Sequence, residues 1–429
     1  MSDKLSLNSK NSSIPPSQDP NKENPQKNKS GKSSGGQKGH EGKTLKNVDN
    51  PDEEVSLEID RRTLPPGSYK SVGIEKRQVI DVQLKRIVTE YQAEVLINTE
   101  TGEMFVASFP DNVSQAVQYG NQVKALSVYL SQYQLIPYNR IHEFFKEQVG
   151  IPVSEGSIYR FNLEAYEKSE RAETITKEKL SALGVMHADE TGANINGVRH
   201  WLHCASNKQW TFFHADKKRG GEAFDRAGVI PKFNGVLIHD HWKPYYKYTD
   251  CCHSLCNGHH LRELMRAHEQ DGQQWAAEMK KFLENLNIEV NQAHGRLSNQ
   301  QARKRRKQYR DLLRKSEIEC PPPDDNNSEN KRGRTKRTKS RNLLERLINF
   351  ERDVLRFVVN KNVPFTNNLA ERDVRMTKVH QKISGCFRSQ KGAEIFCRVR
   401  GYISTCRKNN VGARDAILML FNNELPSFF

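Results

Sequence analysis

Cysteine is absent before position 204 of this 429-residue chain, and the eight present stand at 204, 251, 252, 256, 320, 386, 397 and 406. Small secreted domains are stapled by closely spaced Cys pairs, so this distribution argues against a disulfide framework and predicts reduced thiols in a cytoplasmic setting. Long hydrophobic runs are missing too. No stretch of about 18 consecutive apolar residues occurs, and the first residues are polar and Lys-rich. A membrane span and a secretory signal are therefore not expected. Apolar residues make up only 35% of the chain, so part of it is expected to lie outside any packed core. At roughly 100 to 200 residues per domain, several domains are expected.

What is abundant is positive charge: 68 Lys and Arg against 52 Asp and Glu, a formal net charge of +16. Such an excess favours a polyanionic partner, because cations that neutralise phosphates release counterions and gain affinity. Charge kept for solubility alone is the alternative.

Residues 1–50 are Ser, Asn, Lys, Pro and Gly with few branched or aromatic side chains, which predicts a disordered basic arm. Gly35, Gly36, Lys38 and Gly39 either follow a phosphate backbone or belong to an inert linker. Residues 51–112 read as a small β-rich module, with strands expected at 55–59, 75–81, 85–96 and 103–107 and a turn at Thr101-Gly102. Residues 113–180 change to helical period. There NQVKALSVYLSQYQ is broken at Ile136-Pro137, resumes over 139–148, meets Gly150 and restarts at Ser154. Helix, short turn and helix form a helix-turn-helix outline. Ser154, Ser157, Tyr159 and Arg160 line the start of its second helix as candidate DNA contacts, with plain helical packing as the alternative.

Over 181–262 the pattern becomes α/β. Strands are expected at 183–189 (LGVMHAD), at 198–205 after the Asn196-Gly197 turn, and at 209–215. A helix at 221–227, strands at 235–240 and 251–256, and a helix from His259 follow. Three hairpin strands, a helix and a fourth strand follow the order of a ribonuclease H-like fold. Residues 263–362 read as a helical basic insertion, with RKRRKQYRDLLRK at 303–315 and a polar loop over 321–340. Residues 363–429 return to mixed structure around NNLAERDVR and ISGCFRS. The expected fold class is multidomain α/β: a ribonuclease H-like core with a helical insertion, preceded by the β-rich module and the helix-turn-helix-like region.

Asp189 and Asp240 each close an apolar strand, and Glu371 opens a helix after Asn367-Asn368. A carboxylate buried without a counter-charge costs several kcal/mol, and a metal ion removes that penalty. One such acid would read as a surface residue or helix cap. Three in this topological order read as a catalytic site for Mg²⁺ or Mn²⁺, expected as two ions about 3.5–4 Å apart at a phosphodiester.

Arg372, Arg375, Lys378, Lys382 and Arg388 surround Glu371 in sequence, and helical spacing puts Arg375 on its face, suited to a phosphate. Trp242, Tyr245 and Tyr246 follow Asp240, where an aromatic either stacks on an unpaired base or packs in the core. Strand alternation puts His187 on the same side as Asp189 and His239 opposite to Asp240. Cys252, Cys256, His259 and His260 offer soft ligands at close spacing. Zinc is one reading and core packing the favoured one, with either His able to position DNA or a carboxylate.

Taken together the motifs resemble the insertion-sequence-66 family of Asp-Asp-Glu transposases. The resemblance rests on NSSIPPS and GGQKGHEG in the arm, EKRQVIDV, VTEY and YLSQYQLIPYNRI, then HADETG, HDHWKPYY, LCNGHHLREL, NNLAERDVR and SGCFRS, all in order. It implies catalytic acids at Asp189, Asp240 and Glu371, a ribonuclease H-like catalytic domain, and action on DNA. In many relatives the β-module carries paired cysteines like a zinc ribbon. Here Leu64-Pro65-Pro66-Gly67 and Thr101-Gly102 stand instead, so no zinc is expected there and apolar contacts alone must hold the module. The expected function is Mg²⁺-dependent cleavage of terminal inverted repeats and strand transfer into target DNA. A homo-oligomer on DNA, and small accessory proteins of the same element, are the expected partners. A non-catalytic DNA-binding repressor and a ribonuclease H-like nuclease or resolvase are the alternatives.

Overall fold

The computed structural model describes residue 21, residues 45–323 and residues 337–429. The arm that carries Lys38 and most of the polar loop expected over 321–340 lie outside the described residues. Two compact units divide the chain, one of Glu23–Ile87 and one of Met1–Lys22 with Val88–Phe429.

In the smaller unit the strands expected at 55–59 and 75–81 do not form. The described chain is extended, with one 3₁₀ turn at Arg61–Thr63 capped by Asp60 and paired hydrogen bonds between Val48 and Gln78. Val55, Leu57, Ile59, Val79 and Ile80 are all exposed. Alternation in sequence gives a strand only where a neighbour supplies ladder bonds and a face to bury. Among the described residues none does so, and the apolar side chains expected to hold the module stay exposed.

The larger unit begins with a hairpin of β1 (Val95–Ile97) and β2 (Met104–Val106), paired antiparallel with Leu96 opposite Phe105 and exposed on both faces. Then come α1 (Asn121–Val128), α2 (Tyr138–Phe144), α3 (Glu155–Lys168) and α4 (Glu170–Ala182), with π-helical turns extending α1 and α2. The Ser154 hydroxyl caps α3 by accepting the Ser157 N–H at 3.1 Å. This region does not pack on itself alone. Val128, Ile141, Phe145, Ile158 and Phe161 share one core with Ile395, Val399, Tyr402, Ile417 and Leu420 from the chain's last helices.

The sheet has five strands, β3 (Val185–Ile195), β4 (Val198–Ser206), β5 (Thr211–Asp216), β6 (Val236–His239) and β7 (Cys252–Leu255), in the order 5-4-3-6-7. β3, β4 and β5 run antiparallel, whereas β6 pairs parallel to both β3 and β7. Asn196 and Gly197 both have positive φ (48° and 78°), the left-handed geometry that a two-residue turn needs to match strand twist. At the entry to β6 a Cβ on Gly235 would lie 2.6 Å from the Gly184 carbonyl oxygen, so only glycine lets β6 approach β3.

Helix α5 (Gly221–Ala227) links the two halves of the sheet. Beyond β7 the insertion is built from α6 (Asn257–Asp271), α7 (Gln274–Gln292), α8 (Asn299–Glu319), α9 (Lys339–Asn349), α10 (Glu351–Val354) and α11 (Arg356–Val359). Their apolar faces close around Trp275, Met279, Leu283, Tyr309 and Leu347. α12 (Asn368–Ser384), α13 (Gln390–Lys408) and α14 (Ala413–Phe421) complete the fold. Ala370, Val374 and Phe396 pack on Ala193, Leu202 and Phe213, which lays α12 and α13 over one face of the hairpin strands. No described helix is long and apolar enough to cross a membrane.

Candidate functional site

Asp189 does not end its strand, as the sequence suggests, because β3 runs on to Ile195. What stops there is the parallel pairing: the last partners of β3 and β6 are His187 and Ile238. Carried two residues further, this register sets Asp189 beside Asp240, which directly follows β6. Beyond His187 β6 no longer pairs with β3, so the two acids sit where the parallel half of the sheet opens. Asp189 accepts the Glu190 N–H and Asp240 the Trp242 N–H, each at 2.9 Å.

Glu371 lies in the first turn of α12, and two contacts fix that helix over β3. At its start the Asn367 side chain donates to the Ala188 carbonyl oxygen at 2.8 Å, and its Oδ1 pairs with His187 Nδ1 at 2.9 Å. Past its end Phe387, from the SGCFRS motif, exchanges backbone hydrogen bonds with Asn194 and Asn196. His187 thus shares the face of Asp189, as alternation requires, but its ring is buried and engaged by Asn367. His239 stacks on Tyr245 and pairs with His253 on the other side.

Burial raises the Asp189 pKa well above the usual carboxylate range, and the charges of Glu190, Glu371 and Asp240 raise it further. Burial also raises that of Asp240, against the Trp242 N–H and Arg219. Glu190 is pushed up to about 7, by burial first and by Asp240 second. Asp189 therefore feels the charges of both other acids expected from sequence, Asp240 and Glu371. Like charges crowded this way without a cation resist full ionisation.

Glu190, Arg219, Asn367 and Arg346 were not singled out by sequence reasoning. Glu190 accepts the Tyr245 hydroxyl and is paired with Arg219 at 2.8 Å. The Arg219 guanidinium lies 4.1 Å from the Trp242 ring centre and 4.7 Å from that of Trp201. Trp242 also meets Phe224 edge-on, so it is half-buried and already stacked. Arg346, on α9, pairs with Glu263 at 2.7 Å, and its charge reaches Asp240. The only sequence signal for Glu190 was the HADETG motif itself.

The soft-ligand cluster keeps two members of its sequence reading, Cys256 and His259, loses Cys252 and His260 and gains Glu371. Cys252 is exposed at the start of β7, whereas Cys256, His259 and Glu371 bring their ligand atoms within 4.8 Å of one another. Cys256 Sγ lies 3.6 Å and His259 Nδ1 3.7 Å from Glu371 Oε1. His260 points into the core and pairs with Asn257 at 3.0 Å.

The remaining basic and polar candidates are spread over two regions. Ser154 and Arg160 are exposed and Ser157 half-buried at the start of α3, with Ser154 spent partly on the cap. Arg372, Arg375, Lys382 and Arg388 are exposed on and after α12, while Lys378 turns back to donate to the Gly192 carbonyl oxygen at 2.7 Å.

The chain was compared with known proteins. No curated protein matches it. Residues 1–46 match a family of unknown function (DUF6444). Residues 116–395 match the transposase IS66 family, a span that takes in Asp189, Asp240 and Glu371 together with the sheet and the whole insertion. By this match the chain belongs to the IS66 family of transposases, which implies transposition.

Proposed function

We propose that the chain cuts and joins DNA at one site built from Asp189, Asp240 and Glu371, on a ribonuclease H-like core. One observation carries the reading: with the β3–β6 register and the Asn367 clamp, Asp189 feels the charges of both Asp240, just past β6, and Glu371 on α12. The strand order 5-4-3-6-7, with a three-strand antiparallel half and a parallel half, supports that core. Acids at the carboxyl end of the parallel strands fit the general rule for sites in open sheets.

The residues fit hard divalent cations. The raised pKa values of Asp189 and Asp240 mark a pocket short of positive charge, and oxygen donors of this kind select Mg²⁺ or Mn²⁺. When bound, such ions would lower the proton affinity of the attacking oxygen and stabilise the leaving oxygen. Asp189 and Asp240 would hold them from the sheet and Glu371 from the helix. Glu190 and Tyr245 support the floor beneath, and Arg219, stacked beside Trp242, holds its charge near Asp240. Strand transfer then needs no covalent protein intermediate, since the freed 3′-hydroxyl is itself the nucleophile.

End recognition falls to the arm with Lys38 and to α2–α3, where Ser154, Ser157 and Arg160 face outward. Arg372, Arg375, Lys382 and Arg388 would track the DNA beside the acids, and pairing of two ends calls for a homo-oligomer on DNA. The full chain, incubated with Mg²⁺, DNA bearing the element's own terminal repeats and a circular target, should release 3′-hydroxyl ends and join them. Cleavage without joining would make it a nuclease, and Mg²⁺-independent binding alone would make it a repressor.

A further inference from the structure

We propose that Cys256, His259 and Glu371 form a second metal site, for a soft or borderline divalent cation such as Zn²⁺ or Co²⁺, that competes with the acid triad for Glu371. It deepens the reading above, because Glu371 would serve either the hard cations with Asp189 and Asp240 or the soft one with Cys256 and His259.

The distances suit a shared metal ion as well as the Cys256-to-Glu371 hydrogen bond that stands there without one. Cys256 Sγ and His259 Nδ1 stand 3.6 and 3.7 Å from the same Glu371 oxygen. Tetrahedral zinc, with bonds of about 2.3 Å to sulfur and about 2.0–2.2 Å to nitrogen and oxygen, sets ligand atoms roughly 3.4–3.6 Å apart. The observed 3.6 and 3.7 Å lie at and just above those edges, and the three ligand atoms all fall within 4.8 Å of one another, so small side-chain shifts would close them on an ion. The 3.7 Å separation also leaves a donor atom to be bound. His259 Nδ1 is buried and has no hydrogen-bond partner, although it faces a carboxylate. A buried ring nitrogen left unmatched costs stability unless something binds it.

Burial and the Glu371 charge push the Cys256 thiol up to about 12, so its thiolate would have to form as the metal binds, with backbone N–H groups in partial support. Cys256 caps the 15-residue helix α6, and its sulfur accepts the Asn367 N–H at 3.1 Å, so amide dipoles converge on it. His259 follows three positions later on the same side of the first turn. The His259 and Glu371 side chains each keep 24% of their surface exposed, which leaves the fourth corner to solvent. Arg262 and Arg346 lie close enough to act on His259. Thiolate and carboxylate together cancel a dication, so those guanidiniums would meet a neutral centre, and Arg346 is already paired with Glu263.

The test is a Co²⁺ titration of the metal-free full chain followed by absorption. A thiolate-to-cobalt charge-transfer band in the near ultraviolet should saturate at one equivalent and vanish in Cys256→Ser. It should persist in Asp189→Asn and Asp240→Asn, which lie outside the cluster. No band in the wild type, or an unchanged band in Cys256→Ser, overturns the site. Should Cys256→Ser fail to fold, His259→Asn decides, since its ring is partly exposed: the Co²⁺ affinity should fall at least tenfold, and an unchanged affinity overturns the site. Catalysis is read separately, by DNA cleavage in the acid variants, so failure of either proposal leaves the other standing.

Discussion

The Asn367 side chain donates to the carbonyl oxygen of Ala188 at 2.8 Å, one residue before Asp189. That bond, with the His187 contact from the same amide, couples the helix bearing Glu371 to the strand bearing Asp189. Asn367→Ala should leave a buried carbonyl and a buried imidazole unmatched and cost about 1–3 kcal/mol in denaturant unfolding. End cleavage should fall more than end binding. Equal losses of both would mean that Asn367 only stabilises the fold.

Gly235 controls the approach of β6 to β3. A Cβ there would meet the Gly184 carbonyl oxygen at 2.6 Å and the Phe233 ring at 2.7 Å. Gly235→Ala should destabilise by about 1–3 kcal/mol through overpacking and shift Asp240 away from Asp189. Thermal unfolding together with a cleavage assay checks both parts.

Much of this was legible in the sequence. The Asn196-Gly197 hairpin, the helix at Gly221–Ala227 and the short apolar strand before Asp240 follow from turn chemistry and period. The run from 55 to 107 misled for a physical reason. Alternation there is real, but apart from the β1–β2 hairpin no partner strand or covering face among the described residues turns it into a sheet. The end of β3 was misjudged because polar residues after Asp189 resemble a strand's end, whereas β4 and Phe387 carry the pairing onward. Glu371 as a companion of Cys256 and His259 could not be read at all, since the insertion separates them in sequence and only the fold rejoins them.

His203 gives a pH prediction. Burial lowers its pKa to about 4, its Nε2 pairs with the Lys218 carbonyl oxygen at 3.2 Å and its Nδ1 has no partner. With an unfolded value of about 6.5, the unfolded chain binds more protons between those limits, so stability falls as pH drops from about 6.5 to 4. His203→Gln should remove about 2–3 kcal/mol of that fall. Urea unfolding at pH 7 and near pH 4.5 measures it, and an unchanged pH dependence would show that His203 does not carry it.

Proteolysis tests the uneven packing. Arg61, Arg62, Lys70, Lys76 and Arg77 lie in exposed chain that is extended apart from the 3₁₀ turn at Arg61–Thr63, while α1 onward is tied into the core it shares with α13 and α14. Brief trypsin treatment should cut within 61–86 first and leave a resistant fragment that contains Asp189, Asp240 and Glu371. Mass spectrometry of the fragment locates the cuts, and earlier cleavage between β3 and α14 outside the 324–336 segment would contradict this packing.

The most direct test of the central claim is DNA-end cleavage in Mg²⁺ by Asp189→Asn, Asp240→Asn and Glu371→Gln, with end binding measured alongside. All three variants should bind the ends about as well as the wild type and release no 3′-hydroxyl product. Wild-type cleavage by any one of them would contradict a single site built from these three acids.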